Sequence, residues 1–369
     1  MYQQPVIIGV RQTGGWNTGE TVQETLSHLG LNTGNMIFTE SLVRVLRGAS
    51  WCSFELRQQD LHGKDVIVLA AANWINSYDD MGWLADRLER TSLPIVMVGI
   101  GAQSTSAMEL PVVRPGTMRL LSLVRDRSTS IAARGAFTCD VLNRYGIKTG
   151  VVTGCPSLLL AGSQGPRIRT TGGVHAAVSC MHATRHGFQQ AEPFQAYLYQ
   201  QAYRQRMQIV LQSELADIYL ALGKINNLEI TARAINVVRS VYADDDVVTL
   251  ERYLRTHGHV FTNLQDWLHY MATRSFCFGT RIHGVVASLL AGTEATLIAH
   301  DSRTLEMAHS MFLPHITSSE ILTEGNLDVN RLHQPEQTAG FMACYRDYHA
   351  RYVAYFTDNG LAVDSGINL

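Results

Sequence analysis

The sequence predicts an α/β protein made of two Rossmann-like domains, each built on a parallel sheet, that face each other across a cleft. Apolar runs of strand length alternate with segments of helical periodicity, which is typical of βαβ units and a parallel sheet. The alternation stops in a glycine-rich, proline-containing stretch, residues 161–174, and then begins again. The chain has 369 residues. Because single cores stop growing at roughly 250–300 residues, two domains are expected.

In the N-terminal half, apolar runs predict strands and the periodic segments between them predict helices. The predicted strands are 6–10, 65–71, 94–98, 130–133 and 150–153, and a glycine-rich loop at 13–19 follows the first of them. The predicted helices are 36–46, 81–91, 117–127 and 136–145. Asn32 or Asn35 is a candidate cap for the first helix, because an amide oxygen there can accept from the free N–H groups.

The C-terminal half repeats this alternation and ends in a further helix. It is predicted to contain a strand at 176–180, one or two helices within 191–222, the segment 235–240, a helix at 249–256, a strand at 259–261 and a helix at 264–273. A strand–helix–strand–helix unit follows, with strands 275–278 and 295–299, helices 283–291 and 302–310, and then a final helix at 337–357. Gly292 ends the first helix of this unit, where a glycine can adopt the left-handed C-cap conformation.

These elements divide the chain into three predicted parts. Residues 1–165 form the N-terminal Rossmann-like domain, residues 174–330 the C-terminal one, and residues 331–369 a helical segment that packs back across the domains. Two parallel-sheet domains joined in this way give a GT-B-like architecture. In that architecture the carboxyl edges of both sheets border one cleft, where ligands of open α/β sheets bind.

Composition and charge argue against several functional classes. The net charge is −2 and the pI about 6.7, which predicts no general attraction to nucleic acid. Six cysteines lie far apart without a C-x-x-C pair and are expected to be reduced and mostly buried. The N-terminus lacks a signal-peptide pattern, and no stretch of ~18 apolar residues predicts a membrane span. We expect a cytoplasmic protein. Peripheral association with the inner face of the membrane and a homo-oligomeric state stay open.

Polar residues gather where two predicted strands give way to their helices. Arg281 and His283 follow the first strand of the 275–310 unit, and Asp301, Ser302 and Arg303 follow the second. Both places lie at the carboxyl edge of the sheet, so the two arginines and the histidine indicate an anionic ligand and a proton transfer. Asp301 can orient Arg303 or His283, or simply cap the helix that begins at Ser302.

Several sequence blocks resemble those of the polysaccharide pyruvyl transferases, in the family's order and over most of residues 32–314. The blocks are NTGN at 32–35, VGIGAQ at 98–103, IAARGAFTCDVLNRYGI at 131–147, GCPS at 154–157, TRIHG at 280–284, AGT at 291–293, DSRTLEMA at 301–308 and LP at 313–314. This resemblance implies transfer of the pyruvyl unit of phosphoenolpyruvate onto two hydroxyls of one sugar, forming a ketal and releasing phosphate. The acceptor implied is a saccharide of a cell-surface polysaccharide or its lipid-linked precursor, in exopolysaccharide biosynthesis for the cell envelope.

The resemblance also assigns roles to residues on the donor side. It implies that His283 is the general acid and that Arg281, Ile282, Arg303 and Arg134 form the phosphoenolpyruvate site, with Ile282 packing inward between its neighbours. No tightly bound cofactor and no metal ligand are implied, and phosphoenolpyruvate is a co-substrate. Two structural alternatives stay open. His283 can be a core histidine bonded to backbone, and Arg134 a surface arginine beside a helix start.

The candidates for binding or deprotonating the acceptor are weaker. Asn32 and Asn35 belong to the NTGN block, but Asn35 stands where the family usually has an aspartate, and an amide cannot act as a base. Glu20 brings a carboxylate to a similar segment, NTGE at 17–20, and Gln103 follows a glycine-rich turn.

Two further candidates follow the first strand of the C-terminal half. His182 and Arg185 are expected to face the cleft, where they would contact the acceptor or the phosphate. Two other functions stay open. A paired-glutamate motif in the second domain would support a nucleotide-sugar glycosyltransferase, and none is found. The amide at Asn35 leaves a non-catalytic scaffold of polysaccharide assembly open. The sequence predicts neither the acceptor sugar nor the ketal position.

Overall fold

The fold consists of two six-stranded parallel sheets with helices packed on them. The computed structural model describes residues 1–16, 19–104, 110–170, 174, 179–224, 228–321 and 323–364. The predicted fold class is confirmed, because every strand pair in both sheets is parallel. Parallel strands buried on both faces need helices on both sides, and the continuous apolar runs supply strands of that kind.

The N-terminal sheet has the strand order β2-β1-β3-β4-β5-β6. Its strands are β1 (Pro5–Ile8), β2 (Ser50–Cys52), β3 (Val66–Ala70), β4 (Ile95–Ile100), β5 (Ile131–Ala133) and β6 (Gly150–Val152). Its helices are α1 (Val22–His28), α2 (Asn35–Val45), α3 (Gly82–Leu88), α4 (Pro115–Arg127) and α5 (Ala136–Arg144). Short 3-10 turns occur at Gln58–Leu61 and Pro156–Ala161.

The C-terminal sheet has the order β12-β11-β10-β7-β8-β9. Its strands are β7 (Ser179–His182), β8 (Gln208–Val210), β9 (Gly258–His259), β10 (Phe276–Gly279), β11 (Glu294–Ala299) and β12 (His315–Thr317). Its helices are α6 (Pro193–Arg204), α7 (Leu215–Leu222), α8 (Leu228–Tyr242), α9 (Val247–His257), α10 (Leu264–Ala272), α11 (Ile282–Leu290) and α12 (Ser302–Ser310). The chain continues through a 3-10 turn (Ser318–Glu320), α13 (Val329–Leu332) and α14 (Pro335–Asp358).

The structure adds several short elements to the predicted ones, and one long helix, α8, around the segment 235–240. Strands β2, β8 and β12 and helix α1 were not predicted, since three or seven residues are too few to show a period. The segment 235–240 lies inside α8, and 191–222 contains α6, β8 and α7. The predicted loop, linker and strand at 13–19, 161–174 and 176–180 include residues outside those described (17–18, 171–173 and 176–178).

The predicted helix ends hold in two cases and fail in one. Gly292 adopts a φ of +77° just beyond α11, as the C-cap prediction requires. Asp301 caps α12, because its Oδ1 accepts from the Thr304 N–H at 2.7 Å. The predicted amide cap of α2 is wrong. The N-cap is Gly34, without a side-chain cap, and the Asn32 Oδ1 accepts instead from the Gly34 N–H at 2.9 Å.

Helix α14 joins the two sheets. Four buried tyrosines along it donate hydroxyl hydrogen bonds to backbone carbonyls of the N-terminal half: Tyr345 to Leu158 and Gly162, Tyr348 to Cys155, Tyr352 to Gly154 and Tyr355 to Met97. Near the start of α14, Gln337 bonds the backbone of His315 in β12. Helix α14 therefore contacts both halves of the chain, while the division into domains at 1–165, 174–330 and 331–369 stays a prediction.

One hydrophobic cluster runs continuously through both halves, with contributions from α2, α11, α12 and α14. The two sheets are thus held in one orientation by a shared core rather than by a linker alone. Among the described residues, no helix is long and apolar enough to cross a lipid bilayer. The described residues also contain no group of three or more His, Cys, Asp or Glu side chains placed to hold a metal ion.

Candidate functional site

A cleft with a volume of about 780 Å³ lies between the carboxyl edges of the two sheets. Its N-terminal wall comes from the start of α2 and from the segments that follow β3, β4 and β5. Its C-terminal wall comes from the segments after β7 and β8 and from the β10–α11 and β11–α12 turns. Eight predicted site residues line it: Asn32, Asn35, Gln103, Arg134, Arg281, Ile282, His283 and Arg303.

His283 lies near the start of α11, where the two halves of the chain meet. It is 6 % exposed, and its Nε2 lies 3.6 Å from the Cys155 Sγ. The Phe38 ring of α2 packs 5.5 Å away, centroid to centroid. A Cβ added to Gly34 would lie only 2.8 Å from the His283 Cβ, so the glycine of the NTGN block is what lets α2 approach this histidine. His283 therefore belongs to the domain interface and to the cleft at once.

The charges around His283 keep its imidazole neutral. Burial, together with the positive charges of Arg134, Arg281 and Arg303, lowers the pKa of His283 to about 3. At neutral pH the ring therefore carries one proton and one free lone pair. An anion bound among the three arginines would offset their charges and raise the pKa of His283 again.

Arg134 follows β5 and is almost completely buried, at 4 % exposure. Its Nε donates to the Gly99 carbonyl at 2.8 Å, one terminal nitrogen to the Asn73 Oδ1 at 3.0 Å, and the other to the Ala71 carbonyl at 3.3 Å. All of these acceptors are neutral, and burial lowers the pKa of Arg134. The prediction that it reaches the cleft from the N-terminal half agrees with this placement, and the surface-arginine alternative does not.

Arg281, in contrast, is paired with a carboxylate. Its terminal nitrogen donates to the Glu214 Oε1 at 2.9 Å, to the Ser213 hydroxyl and to the Arg185 carbonyl at 2.6 Å. Burial raises the pKa of Glu214, but the Arg281 charge and the N–H groups of Gln212 and Ser213 lower it by more, so this carboxylate is ionised. Sequence reasoning missed Glu214, which lies 67 residues before its partner in a segment without a motif.

Arg303 and Asp301 occupy the β11–α12 turn. The Arg303 guanidinium lies 3.4 Å from the Asp301 Oδ2, and its side chain is 22 % exposed toward the cleft. Burial raises the pKa of Asp301, yet the charges of Arg303 and His300 and the N–H of Thr304 leave it lower than usual. Arg303 is thus held loosely at one edge and is accessible at the other, as a phosphate ligand would be.

Three of the predicted candidates do not line the cleft. Glu20 contacts Thr25 and His28 on α1, at 3.2 and 3.4 Å. His182 is fully buried beneath α11. The backbone of Gly284 in that helix lies so close to the His182 ring that an added Cβ would be 2.3 Å from it. Arg185 forms an ion pair with Asp217 in which neither side chain is exposed. The prediction that His182 and Arg185 face the cleft is therefore wrong. His182 is the last residue of β7 and Arg185 lies just beyond it, and both side chains are buried.

Two acceptor-side candidates that line the cleft, Asn35 and Gln103, have local partners there. The Asn35 Nδ2 donates to the carbonyls of Leu29 and Gly30, at 3.2 and 3.3 Å. The Gln103 Oε1 accepts from the Tyr78 hydroxyl at 3.0 Å. These bonds fix side chains at the mouth of the cleft without giving either amide a basic function.

Several lining residues were missed by sequence reasoning. They are Asn73, Trp74, Tyr78 and Asp79 after β3, His186 after β7, Gln212 after β8 and His300 after β11. Burial and the Arg281 charge lower the pKa of His186 to about 4, and its Nδ1 lies 3.1 Å from the Ser213 Oγ. The available signal was positional, since each of these residues follows a strand at the carboxyl edge.

The fold and the site define a class: a two-domain α/β protein whose interdomain cleft carries arginines and a buried, neutral histidine. The chain belongs to the polysaccharide pyruvyl transferase family, a transferase family whose model matches residues 32–302. The predicted resemblance is thereby confirmed. No protein of curated function matches the chain by sequence.

Solved structures share the overall arrangement at low identity. S. aureus MnaA, in a co-structure with UDP, is 11% identical, with a TM-score of 0.41 over 96% of this chain and 94% of that one. A UDP-N-acetylglucosamine 2-epimerase from Rickettsia bellii is 8% identical, with a TM-score of 0.44 over 97% of this chain and 96% of the other. Scores of this size carry no argument about what the present chain binds.

Proposed function

We propose that the protein transfers the pyruvyl unit of phosphoenolpyruvate to a sugar of a cell-surface polysaccharide or of its lipid-linked precursor. The products are a pyruvate ketal and phosphate. One observation carries the proposal: Arg134, Arg303 and His283 line one cavity, and the bonds recorded for Arg134 in the described structure all go to neutral acceptors. A buried cation of that kind favours an anionic ligand, and the family to which the chain belongs suggests which one.

Phosphoenolpyruvate carries a phosphate and a carboxylate, so it needs more than one fixed cation. Guanidinium groups match both anions in a planar, two-pronged geometry. In this proposal Arg134 and Arg303 bind the donor directly, because neither is strongly neutralised by the protein. Arg281 shares its charge with Glu214 and holds the N-terminus of α11, on which His283 lies. The N–H groups at the start of this helix add a favourable field for the same anion.

His283 acts as the acid in this proposal. In the free protein the pKa of His283 is about 3, so the ring is neutral at pH 7. Binding of a multiply charged anion beside it raises that pKa, so the histidine takes up a proton as the donor binds. It can then protonate the methylene carbon of phosphoenolpyruvate from within the dry cleft.

The bonds and protons balance in this scheme. The double-bond electron pair of phosphoenolpyruvate forms the new C–H bond with the His283 proton, leaving an oxocarbenium-like carbon. One sugar hydroxyl oxygen bonds to that carbon and gives up its proton. The second hydroxyl oxygen then displaces phosphate, which leaves with the electron pair of the broken C–O bond and with the second proton. The net products are one ketal and one phosphate.

The first test measures donor binding by thermal unfolding. Phosphoenolpyruvate at ~100 times its dissociation constant should stabilise the protein by roughly 2.7 kcal/mol, seen as a raised midpoint. Arg303→Gln should remove this shift. The matched control Arg90→Gln, which changes an exposed arginine outside the cleft, should retain it.

The second test measures the reaction. The protein is incubated with phosphoenolpyruvate and with 4-nitrophenyl hexosides of gluco, galacto and manno configuration, and a pyruvate-ketal product is sought by mass spectrometry alongside released phosphate. A midpoint raised by UDP-glucose but not by phosphoenolpyruvate would replace the proposal with a nucleotide-sugar glycosyltransferase. A cell-surface glycan unaltered by His283→Ala would favour the scaffold.

A further inference from the structure

The reaction proposed above leaves one group unassigned, the acceptor of the sugar hydroxyl's proton. We infer that Asp79, on the loop after β3, accepts this proton and that the neighbouring Tyr78 ring binds the reacting sugar. The inference rests on the proposed function and adds to it an acceptor subsite on the N-terminal wall. Neither residue belongs to a block that suggested the family, and Asn35 of the NTGN block is an amide, which cannot act as a base.

The carboxylates of the cleft single out Asp79. Among the described lining residues, the carboxylates are Asp79 and Asp301. Both oxygens of Asp301 already have partners, because its Oδ1 accepts from the Thr304 N–H at 2.7 Å and its Oδ2 lies 3.4 Å from the Arg303 guanidinium. Glu214 is buried outside the cleft lining and forms an ion pair with Arg281. No cationic partner is recorded for Asp79 in the described part of the chain, so its carboxylate keeps its charge and can still accept from a sugar hydroxyl.

A buried asparagine holds Asp79 in place. Asn76 is 1 % exposed, and its Nδ2 donates to the Asp79 Oδ2 at 3.0 Å and to the Asn73 carbonyl at 2.8 Å. Its Oδ1 accepts from the backbone N–H groups of Tyr78 and Asp79, at 3.0 and 2.7 Å. A side chain that satisfies both ends of a loop in this way fixes the loop conformation.

The same loop also reaches the proposed donor site. The Asn73 Oδ1 accepts from Arg134 at 3.0 Å, so a short chain of hydrogen bonds runs from Arg134 through Asn73 and Asn76 to Asp79. One rigid loop therefore positions a donor-binding cation and a free carboxylate on the same wall. A bisubstrate reaction needs this kind of fixed relation between its two reactants.

Tyr78 provides a surface for a sugar ring. It is 63% exposed at the mouth of the cleft, and its hydroxyl is tied to the Gln103 Oε1 at 3.0 Å. Tyr78 lines the same cleft as Asp79 on its own loop and Arg303 on the C-terminal wall. Burial and the Asp79 charge raise the pKa of its phenol, and the Arg303 charge lowers it by less. An exposed aromatic face with its polar end fixed suits the C–H face of a hexose, with carboxylate and amide groups at its edge.

Asp79 completes the proton balance. The first sugar hydroxyl bonds to the oxocarbenium-like carbon through oxygen, and its proton moves to the Asp79 carboxylate. This proton returns to solvent and replaces the one that His283 took up when phosphoenolpyruvate bound. The second hydroxyl proton leaves on phosphate. No oxidant, reductant or metal ion is needed for these steps.

The test compares Asp79→Asn with Asp80→Asn. Asp80 is the adjacent carboxylate and does not line the cleft. It accepts from the Gly82 N–H at 2.9 Å, a bond that an amide oxygen can keep, and from the Gly116 N–H at 3.3 Å, a longer bond that the variant loses. General acid–base groups contribute about 10²–10⁴-fold, so Asp79→Asn should lower kcat about 100-fold or more. It should leave the phosphoenolpyruvate-induced rise in unfolding midpoint unchanged.

Two outcomes would overturn the inference. One is an Asp79→Asn variant whose kcat stays within about threefold of wild type, well below the usual contribution of such a group, which would leave phosphate as the proton acceptor. The other is loss of the phosphoenolpyruvate shift in that variant, which would move Asp79 to the donor site. The proposed function fails separately, and earlier, if phosphoenolpyruvate does not shift the wild type.

Tyr78 supplies an independent readout. Tyr78→Ala should raise the KM for the hexoside about tenfold, as expected for roughly 1.4 kcal/mol of lost contact, without changing the KM for phosphoenolpyruvate. Tyr78→Phe keeps the ring and loses only the bond to Gln103, so its hexoside KM should lie close to that of the wild type. Equal effects of the two variants on both substrates would contradict a stacking role.

Discussion

The two walls of the cleft carry arginines that follow strands in the same way and differ in what surrounds them. Arg134, on the N-terminal wall, donates to two carbonyls and an amide oxygen. Arg281, on the C-terminal wall, lies against the ionised Glu214. The first brings a net charge to the cleft and the second largely does not. An arginine in a motif is therefore a ligand only to the extent that its own protein leaves its charge uncompensated.

This difference predicts a mainly structural role for Arg281 and a mainly ligand-binding role for Arg134 within the same cleft. Removing one member of a buried ion pair leaves an isolated charge, which typically costs about 3–5 kcal/mol. Removing a buried cation with neutral partners also removes the cost of burying its charge. The free energy of unfolding should therefore fall less, and the affinity for an anionic ligand should fall more.

The largest effect is expected for Arg281→Gln. Glu214 would remain buried without its cation, so the free energy of unfolding should fall by about 3–5 kcal/mol in urea denaturation. The double variant Arg281→Gln/Glu214→Gln should recover much of that loss. As a matched control, Arg255→Gln breaks an exposed i,i+4 pair with Glu251 and should cost about 0.3–0.5 kcal/mol. A single variant as stable as this control would remove the distinction between the walls.

Arg134→Gln should affect donor binding more than stability. Hydrogen bonds to charged groups contribute about 1.5–3 kcal/mol, so the Kd for phosphoenolpyruvate should rise about 10- to 100-fold, measured by calorimetric titration. The loss of unfolding free energy should be smaller than for Arg281→Gln. If the order of the two variants were reversed in both measurements, the assignment of roles to the walls would be wrong.

Donor binding should be coupled to proton uptake by His283. The pKa of this histidine is about 3 in the free protein, and an anion among the arginines raises it. Between those two pKa values the complex holds more protons than the free protein, so phosphoenolpyruvate affinity should rise as pH falls through that window. Calorimetry in buffers of different ionisation enthalpy measures the uptake, and His283→Gln corrects for protons taken up by the phosphate. An uptake equal in wild type and variant would exclude His283 as the acid.

The smallest effect on stability is expected for Glu306 of α12. Its side chain reaches the N-terminal half, and no cationic partner is recorded for it in the described structure. Its Oε1 accepts from the Thr138 N–H at 3.2 Å, and burial raises the pKa of Glu306. A raised folded pKa means that this group destabilises the fold as pH rises from its unfolded pKa to its folded one. Glu306→Gln should change stability by less than ~1 kcal/mol at low pH and flatten that dependence. An unaltered pH profile of the unfolding free energy would show that Glu306 does not contribute to it.

The sequence by itself determined the parallel α/β class, most element positions and the polar residues at the carboxyl edges, including Arg134, Arg281, His283 and Arg303. These depend on local periodicity and on the rule that parallel strands end at one edge, both of which can be read along the chain. The prediction that His182 and Arg185 face the cleft was wrong, because a position at the end of a strand does not decide which other segments cover the side chain.

Only the tertiary structure decided which of these groups is free to act. Glu214 meets Arg281 across 67 residues, and Asn76 and Asn73 connect Asp79 to Arg134 through a loop without a recognisable motif. Charge compensation and burial are properties of groups brought together by the shared core, and they fall steeply with distance. Local sequence fixes where a side chain leaves the sheet. The partner that neutralises it, or leaves it available, comes from elsewhere in the chain.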